Sequence, residues 1–480
     1  MNRKIFIISA FCFLLSAFSL SAQDTWVKSY APFGSSNLEN YTVRNIAICQ
    51  DGGYAVNGTY IYDDSPYIIF EFGFLMKTDS EGNFLWVKQD TVSFIERTES
   101  LAFVETDDCG FISAFTNSTI GGGNALIKRD SEGNREWVVD NGEFQVWSMA
   151  KTSDGNIVLS GILSLGLPAI RKITPNGAEL WTQTYNPNNS RETGRLYSII
   201  ETLDGGLAAT GYIQGNGLDL YVLKADADGD TLWTRTYDGY GYGDYGNSII
   251  EDNFSNFMSV GKVWDFGTIG FIWFIDSYGN TIWNVEVDSN VGYEQYSVIK
   301  AENNNFIAYC HSPVRSKMYS FDSEYNIEWE SDLPFYYCAK GDKGVQKINN
   351  EGFICAGASY GRENIQIAKT DTEGNYTSIE EEFIYSYSNQ IKCYPNPFNP
   401  ITNINFSLKY SLDHISFSIY NVKGQRIRDL YKTDLLTLGE YTFQWDGRNF
   451  NNQNVSSGIY YVILESKNQI IGSKKIIMLK

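Results

Sequence analysis

The 480-residue chain is 43% hydrophobic, 15% aromatic and 20% charged, with 43 Gly and a formal net charge of −20. That apolar fraction excludes wholesale disorder, and the aromatic and glycine load favours β structure. The acidic balance excludes a phosphate backbone or anionic lipid as the main partner, and two histidines, His311 and His414, exclude a histidine-rich metal site.

Residues 1–23 read as a secretory signal peptide. Arg3 and Lys4 precede an apolar run from Ile5 to about Leu20, followed by the small residues Ser21 and Ala22. The run falls short of the ~20 apolar residues of a membrane span, and no other stretch is apolar enough to cross a bilayer. Six cysteines follow, Cys49, Cys109, Cys310, Cys338, Cys355 and Cys393, with no Cys-x-x-Cys pair. They are too few for a disulfide framework over some 450 residues, and buried free thiols are expected.

From there the chain repeats itself. Lys-Thr-Asp-Ser-Glu-Gly-Asn-Phe-Leu-Trp ends at Trp86, and its variants end at Trp137, Trp181, Trp233, Trp283 and Trp329, at spacings of 51, 44, 52, 50 and 46 residues. A second phrase precedes each one and occurs seven times, from Asp51-Gly-Gly-Tyr to Asn350-Glu-Gly-Phe. In the fourth copy the pattern predicts strands at about 194–203, 206–213, 218–226 and 231–237, with hairpin chemistry between them. Four strands in about fifty residues is one propeller blade. The seventh copy reaches Asn375 without a following Trp, while Thr25-Trp-Val-Lys-Ser-Tyr30 resembles Leu232-Trp-Thr-Arg-Thr-Tyr237. The prediction is therefore an all-β chain whose residues 24–376 form a seven-bladed β-propeller, with Trp26 in the blade of Cys355 and the N-terminal strand closing the ring.

The Asp-x-x-Gly-x-x-x-Trp phrase resembles the tryptophan-docking motif of quinoprotein propellers, with one residue fewer between Asp and Gly. Those enzymes carry eight blades, calcium and an adjacent cysteine pair, which seven copies without Cys-Cys do not match. It also resembles the Asp-box of sialidase-like propellers, one residue too long between Gly and Trp. Both resemblances imply blade geometry, with each Trp a spacer between blades; no cofactor or metal is expected from either.

Residues 377–390 are polar and acidic and read as a linker. After it, Tyr394-Pro-Asn-Pro-Phe398, Ser418-Ile-Tyr-Asn-Val-Lys-Gly424, Leu438-Gly-Glu-Tyr441, Trp445-Asp-Gly447 and Ser457-Gly-Ile-Tyr460 lead to a basic, apolar final strand. This order resembles type A C-terminal sorting domains of the type IX secretion system, and is similar to the immunoglobulin-like domain of flagellar hook-capping proteins. The resemblance covers 391–480 and implies a small Ig-like β-sandwich. Its motif residues are Tyr394, Pro395, Pro397, Gly424, Gly439, Gly458 and Tyr460. It further implies the type IX machinery and its sortase-like protease as partners, with the mature chain secreted or held at the outer-membrane surface. Charge divides accordingly: residues 391–480 carry a net +5 and 24–390 a net −27.

Candidate chemistry is sparse. Asp226-Ala-Asp-Gly-Asp230 lacks the distal Glu of a calcium loop and occupies a repeat turn. His311 has no recognisable triad partners. The connector 238–245 offers Tyr240, Tyr242 and Tyr245 between glycines, flat faces suited to a glycan or protein ligand. The copies differ by decay rather than by an inserted loop in one odd blade. The expected function is thus a binding or adhesion propeller. The alternative is a polysaccharide-acting propeller enzyme with carboxylates ~5–9 Å apart in the central mouth, whereas a mouth plugged by apolar side chains would place binding elsewhere.

Overall fold

The computed structural model describes residues 25–479 apart from 34–38, 66–67, 91–97, 118–123, 187–192, 216, 239–242, 266, 288–293, 303–304, 312–314, 325, 350, 378–390, 409–411, 437–438 and 467–468. The expected signal peptide and nearly all of the expected linker lie outside these residues.

Each repeat folds into an antiparallel sheet in chain order, and seven such sheets make the propeller. The fourth copy gives strands Thr193–Glu201, Leu207–Gln214, Leu218–Ala225 and Thr231–Tyr237. The innermost strand of each blade touches that of the next, and the series closes from the seventh blade back to the first. Blade seven is completed from both ends of the repeat array. Trp26–Tyr30 pairs with Ile365–Thr370, placing Val27 opposite Ala368, which in turn lies opposite Cys355. An open array would leave a bare edge on each terminal blade; here the chain's first strand covers one of them.

Two devices hold the ring. Within a blade, the Asp of the first hairpin turn pairs with a lysine at the end of the third strand: Lys77–Asp51, Lys128–Asp108 and Lys172–Asp154 at 2.8 Å, Lys224–Asp204 at 2.9 Å. The second glycine of Asp-Gly-Gly makes room for that ammonium, since a Cβ on Gly53 or Gly206 would lie 2.4 or 2.5 Å from Nζ. Between blades, five of the repeat Trp lie on the turn glycine of the next blade: Trp86 on Gly133, Trp137 on Gly177, Trp181 on Gly229, Trp233 on Gly279 and Trp329 on Gly374. Those glycines have φ of +77° to +85°, so they supply both the turn geometry and the flat seat. A Tyr four residues after the Trp donates to the same glycine's carbonyl, Tyr185 to Gly229 at 2.8 Å and Tyr237 to Gly279 at 2.9 Å. Trp26 and Tyr30 repeat this on Gly82 of blade one, with a hydroxyl bond of 2.6 Å. The spacer reading of the tryptophans therefore holds, and the ring's junction uses the staple found at the other blade boundaries.

The C-terminal region has its own core, centred on Phe417, Trp445, Val462 and Ile476. It packs a three-stranded sheet (Lys392–Tyr394, Thr402–Leu408, Gly439–Trp445) against a four-stranded one ordered Arg426–Leu436, Leu412–Asn421, Gly458–Ser466, Gln469–Met478. This is the expected sandwich.

Candidate functional site

The propeller's chemistry gathers at its axis. In blades one to six the innermost strand carries a one-residue bulge, at Arg44, Leu101, Trp147, Tyr197, Asn247 and Tyr296. A bulge turns its extra residue away from the ladder. The first five of these side chains line one cavity of about 480 Å³, together with Tyr212, Tyr245, Lys262 and the segment Lys340-Gly-Asp342.

That segment comes from blade seven and is the main departure from the repeat. Its innermost strand is split into Tyr337–Cys338 and Val345–Ile348, and the intervening residues cross the axis. Lys340 and Gly341 donate from their backbone to the carbonyls of Val43 and Arg44 at 3.0 and 2.7 Å, and Ile46 donates to Lys343 O at 2.8 Å. Gly341 is required sterically, because a Cβ there would sit 2.0 Å from Asn45 Oδ1. Asp342 lies at the centre. Ser148 donates to its carboxylate at 2.6 Å, while Ser248 and Ser297 donate to its main-chain carbonyl at 3.1 and 2.9 Å. The same serines serve the bulges: Ser198 and Ser248 each accept the amide of the following blade, Ile249 and Val298, at 3.3 Å. Burial pushes the Asp342 carboxyl above the ordinary carboxylate range, opposed by the Lys343 ammonium and the Ser148 and Ser198 hydroxyls.

Above this polar floor stands an aromatic wall. Trp147 meets Tyr197 edge to face at 5.1 Å, Tyr197 lies 5.9 Å from Tyr212, and Tyr212 meets Tyr245 at 5.1 Å. The Arg195 guanidinium lies 4.7 Å from the Trp147 ring centre and 5.8 Å from that of Tyr197. Arg44 lies 5.7 Å from the Trp147 ring centre and pairs with Glu99 at 3.1 Å. Burial pushes the Tyr197 hydroxyl up to about 12, against the pull of Arg195, so Tyr197 presents a neutral hydroxyl near neutral pH.

Tyr245 is thus in the site; Tyr240 and Tyr242 lie outside the described residues. The expectation of no odd blade is corrected: the innermost strand of blade seven is split between Cys338 and Val345, without added length, since Trp329 and Asn350 are 21 residues apart and the corresponding pair Trp86 and Asp108 are 22 apart. The mouth also fits neither sequence-based alternative, since its floor is hydrogen-bonded main chain and, among the described residues, its lining holds one carboxylate, Asp342, already engaged by hydroxyls. Arg44, Trp147, Tyr197 and Tyr212 were missed. For the first three the signal was a polar or aromatic residue just before Ser or Asn in the first strand of a blade, as in Arg44-Asn45, Trp147-Ser148 and Tyr197-Ser198; Tyr212, in a second strand, carried no such signal.

Elsewhere, Asp226 Oδ1 accepts the amides of Asp228 and Asp230 at 3.0 and 2.9 Å, as Asp276 does for Tyr278 and Asn280, so the supposed calcium loop is a repeat turn. His311 stacks on Tyr337 at 5.6 Å. Of the sorting-motif residues, Tyr394 is exposed, Pro395 and Pro397 follow cis peptide bonds, and Gly424 takes φ +73° in a hairpin. Gly439 and Gly458 each begin a strand, and Tyr460 is buried against Trp445 at 5.1 Å.

Residues 392–479 match the family model described as a secretion system C-terminal sorting domain. That tail marks the chain for export to the cell surface or extracellular space. No curated protein matches the sequence. Among solved structures, the chain is similar to PorZ, an essential surface component of the type IX secretion system of Porphyromonas gingivalis (14% identity, TM-score 0.41, covering 88% of this chain and 58% of that one). It is also similar to the quinohemoprotein alcohol dehydrogenase ADHIIG of Pseudomonas putida HK5 (9%, 0.43, 69% and 66%) and to Sqt1 of Chaetomium thermophilum (12%, 0.45, 75% and 87%). The chain spans less than two thirds of the length of the first two.

Proposed function

We propose that this is a non-catalytic binding or adhesion propeller, exported by type IX secretion and working at the cell surface through its axial mouth. The observation carrying the reading is the mouth itself. A cavity of about 480 Å³ is of the size that holds small ligands, it is walled by four aromatic rings, and it is closed beneath by the Asp342 segment. A single, already hydrogen-bonded carboxylate supplies no acid–base pair for glycosidic cleavage.

In this reading residues 1–23 are the leader, and 377–390 is the linker at which a sortase-like protease removes the tail, leaving the propeller released or surface-attached. Two measurements test it. Mass spectrometry of medium and outer-membrane fractions should find the chain ending before about Cys393; full-length protein confined to the cytoplasm contradicts export. On a glycan array, the protein should retain bound sugar unchanged, with binding abolished by Trp147→Ala. Turnover of a bound polysaccharide would establish the enzyme instead.

A further inference from the structure

The geometry points to a carboxylate-bearing saccharide, a uronate-type sugar, as the ligand of the axial mouth; this rests on the binding reading above. Buried donors at and beside the mouth have no acceptor among the described residues. Trp147 Nε1, Arg195 Nε and Arg44 Nε are all buried and have no hydrogen-bond partner among the described residues. Most buried polar groups in folded proteins are paired, so three orphaned donors around one indole ring mark a place where an acceptor is brought from outside. The two arginines differ. Arg44 is matched by Glu99, whereas Arg195 forms no ion pair among the described residues and rests on Trp147 and Tyr197. An unmatched, half-buried guanidinium held on an aromatic plane is a bidentate receptor for a carboxylate.

The walls select the rest of the ligand. Tyr212 and Tyr245 offer ring faces for the C–H side of a pyranose and hydroxyls for its alcohols. Leu101 is the only aliphatic side chain in the lining. A peptide side chain would need a larger apolar recess, and a peptide backbone would need free amides on an inner strand edge, whereas those of Asn45, Ile249 and Val298 are taken by side chains and that of Ile46 by Lys343 O. The floor at Asp342 limits entry to one or two rings, which favours the end or a short side branch of a glycan.

The test uses the full chain in calorimetry with three probes: digalacturonate, its neutral counterpart digalactose, and hexaglutamate as an acidic peptide. Digalacturonate should bind about tenfold or more tightly than digalactose, as a desolvated charge-assisted pair implies. Arg195→Gln should bring the two affinities within about twofold of each other. Competition with free galacturonate against free galactose on the unmodified protein gives the same discrimination without relying on a variant. Equal affinity for both sugars, with binding still lost in Trp147→Ala, would overturn the acidic ligand and leave the mouth as a binding site. Preference for hexaglutamate, or a uronate preference that survives Arg195→Gln, would also overturn it. Absence of binding by every probe would remove the mouth reading as well.

Discussion

Replacing Trp26 by Ala tests how the ring is locked, because the same staple can be cut where the chain is continuous. Trp26 seats on Gly82 of blade one, meets Tyr54 edge to face at 5.9 Å, and lies under the Lys28 ammonium at 5.6 Å. Truncating a fully buried Trp costs about 3–5 kcal/mol; Trp26 is partly exposed, so about 2–3 kcal/mol is expected. In the Trp181→Ala variant a similar loss stays within a blade whose strands are joined by hairpins. In Trp26→Ala it falls on a five-residue strand with no hairpin joining it to its blade, held by its ladder with Ile365–Thr370 and the Tyr30–Gly82 bond. Local opening of that strand should therefore rise roughly 30- to 160-fold, the equivalent of about 2–3 kcal/mol. Hydrogen exchange read by mass spectrometry should show faster exchange of residues 26–30 and 365–370 in Trp26→Ala. In Trp181→Ala those amides should remain protected, with exchange rising around 179–184 instead. Unchanged protection of 365–370 in Trp26→Ala would refute the view that this staple locks the ring.

Two further outcomes follow from the paired charges and the thiols. Asp108 and Asp204 sit at about 2 because lysine, threonine and turn-amide hydrogen bonds outweigh the opposing effect of burial. Their folded values lie below the unfolded one, so their stabilisation is complete above about pH 4 and is lost as pH falls toward 2; with carboxylates 56% and 58% exposed, screening leaves about 1 kcal/mol each. Thermal melts of Lys224→Met should fall less steeply between pH 4 and 2 than those of the unmodified chain, and an unchanged slope would show that the pair contributes nothing. Cys49, Cys109, Cys310, Cys338, Cys355 and Cys393 are all free, and burial pushes the Cys310 thiol up to about 12 and that of Cys355 higher still. All six should titrate with a thiol reagent in denaturant without reductant, and Cys310 and Cys355 should be unreactive in the native protein; fewer thiols in denaturant would mean disulfides.

How much was readable in advance depended on the range of the interaction. The Asp-Gly-Gly and Asp-x-x-Gly-Asn turns need particular residues because of local backbone conformation, so they recur visibly, and their spacing yields blades, their number and strand positions to within two residues. The closing strand was equally legible, since Trp26 and Tyr30 must satisfy the contact that Trp233 and Tyr237 satisfy in another blade. The sorting tail was carried by ordered motifs in the same way. The binding mouth was not. Trp147, Tyr197 and Arg44 reach the axis because a bulge re-aims one residue in each inner strand, and a bulge is a register shift between strands rather than a composition. The Asp342 segment was hidden for the same reason: nothing local to Lys340-Gly-Asp-Lys343 says that hydroxyls from Ser148, Ser248 and Ser297, as many as 194 residues away, converge on it. Sequence alone determined the repeating unit and its closure, because the unit rests on short-range geometry copied seven times and the closing strand carries the same Trp and Tyr spacing as the strands it replaces. Only the closed ring decided what stands at its centre, where side chains from several blades meet and no single repeat holds a site.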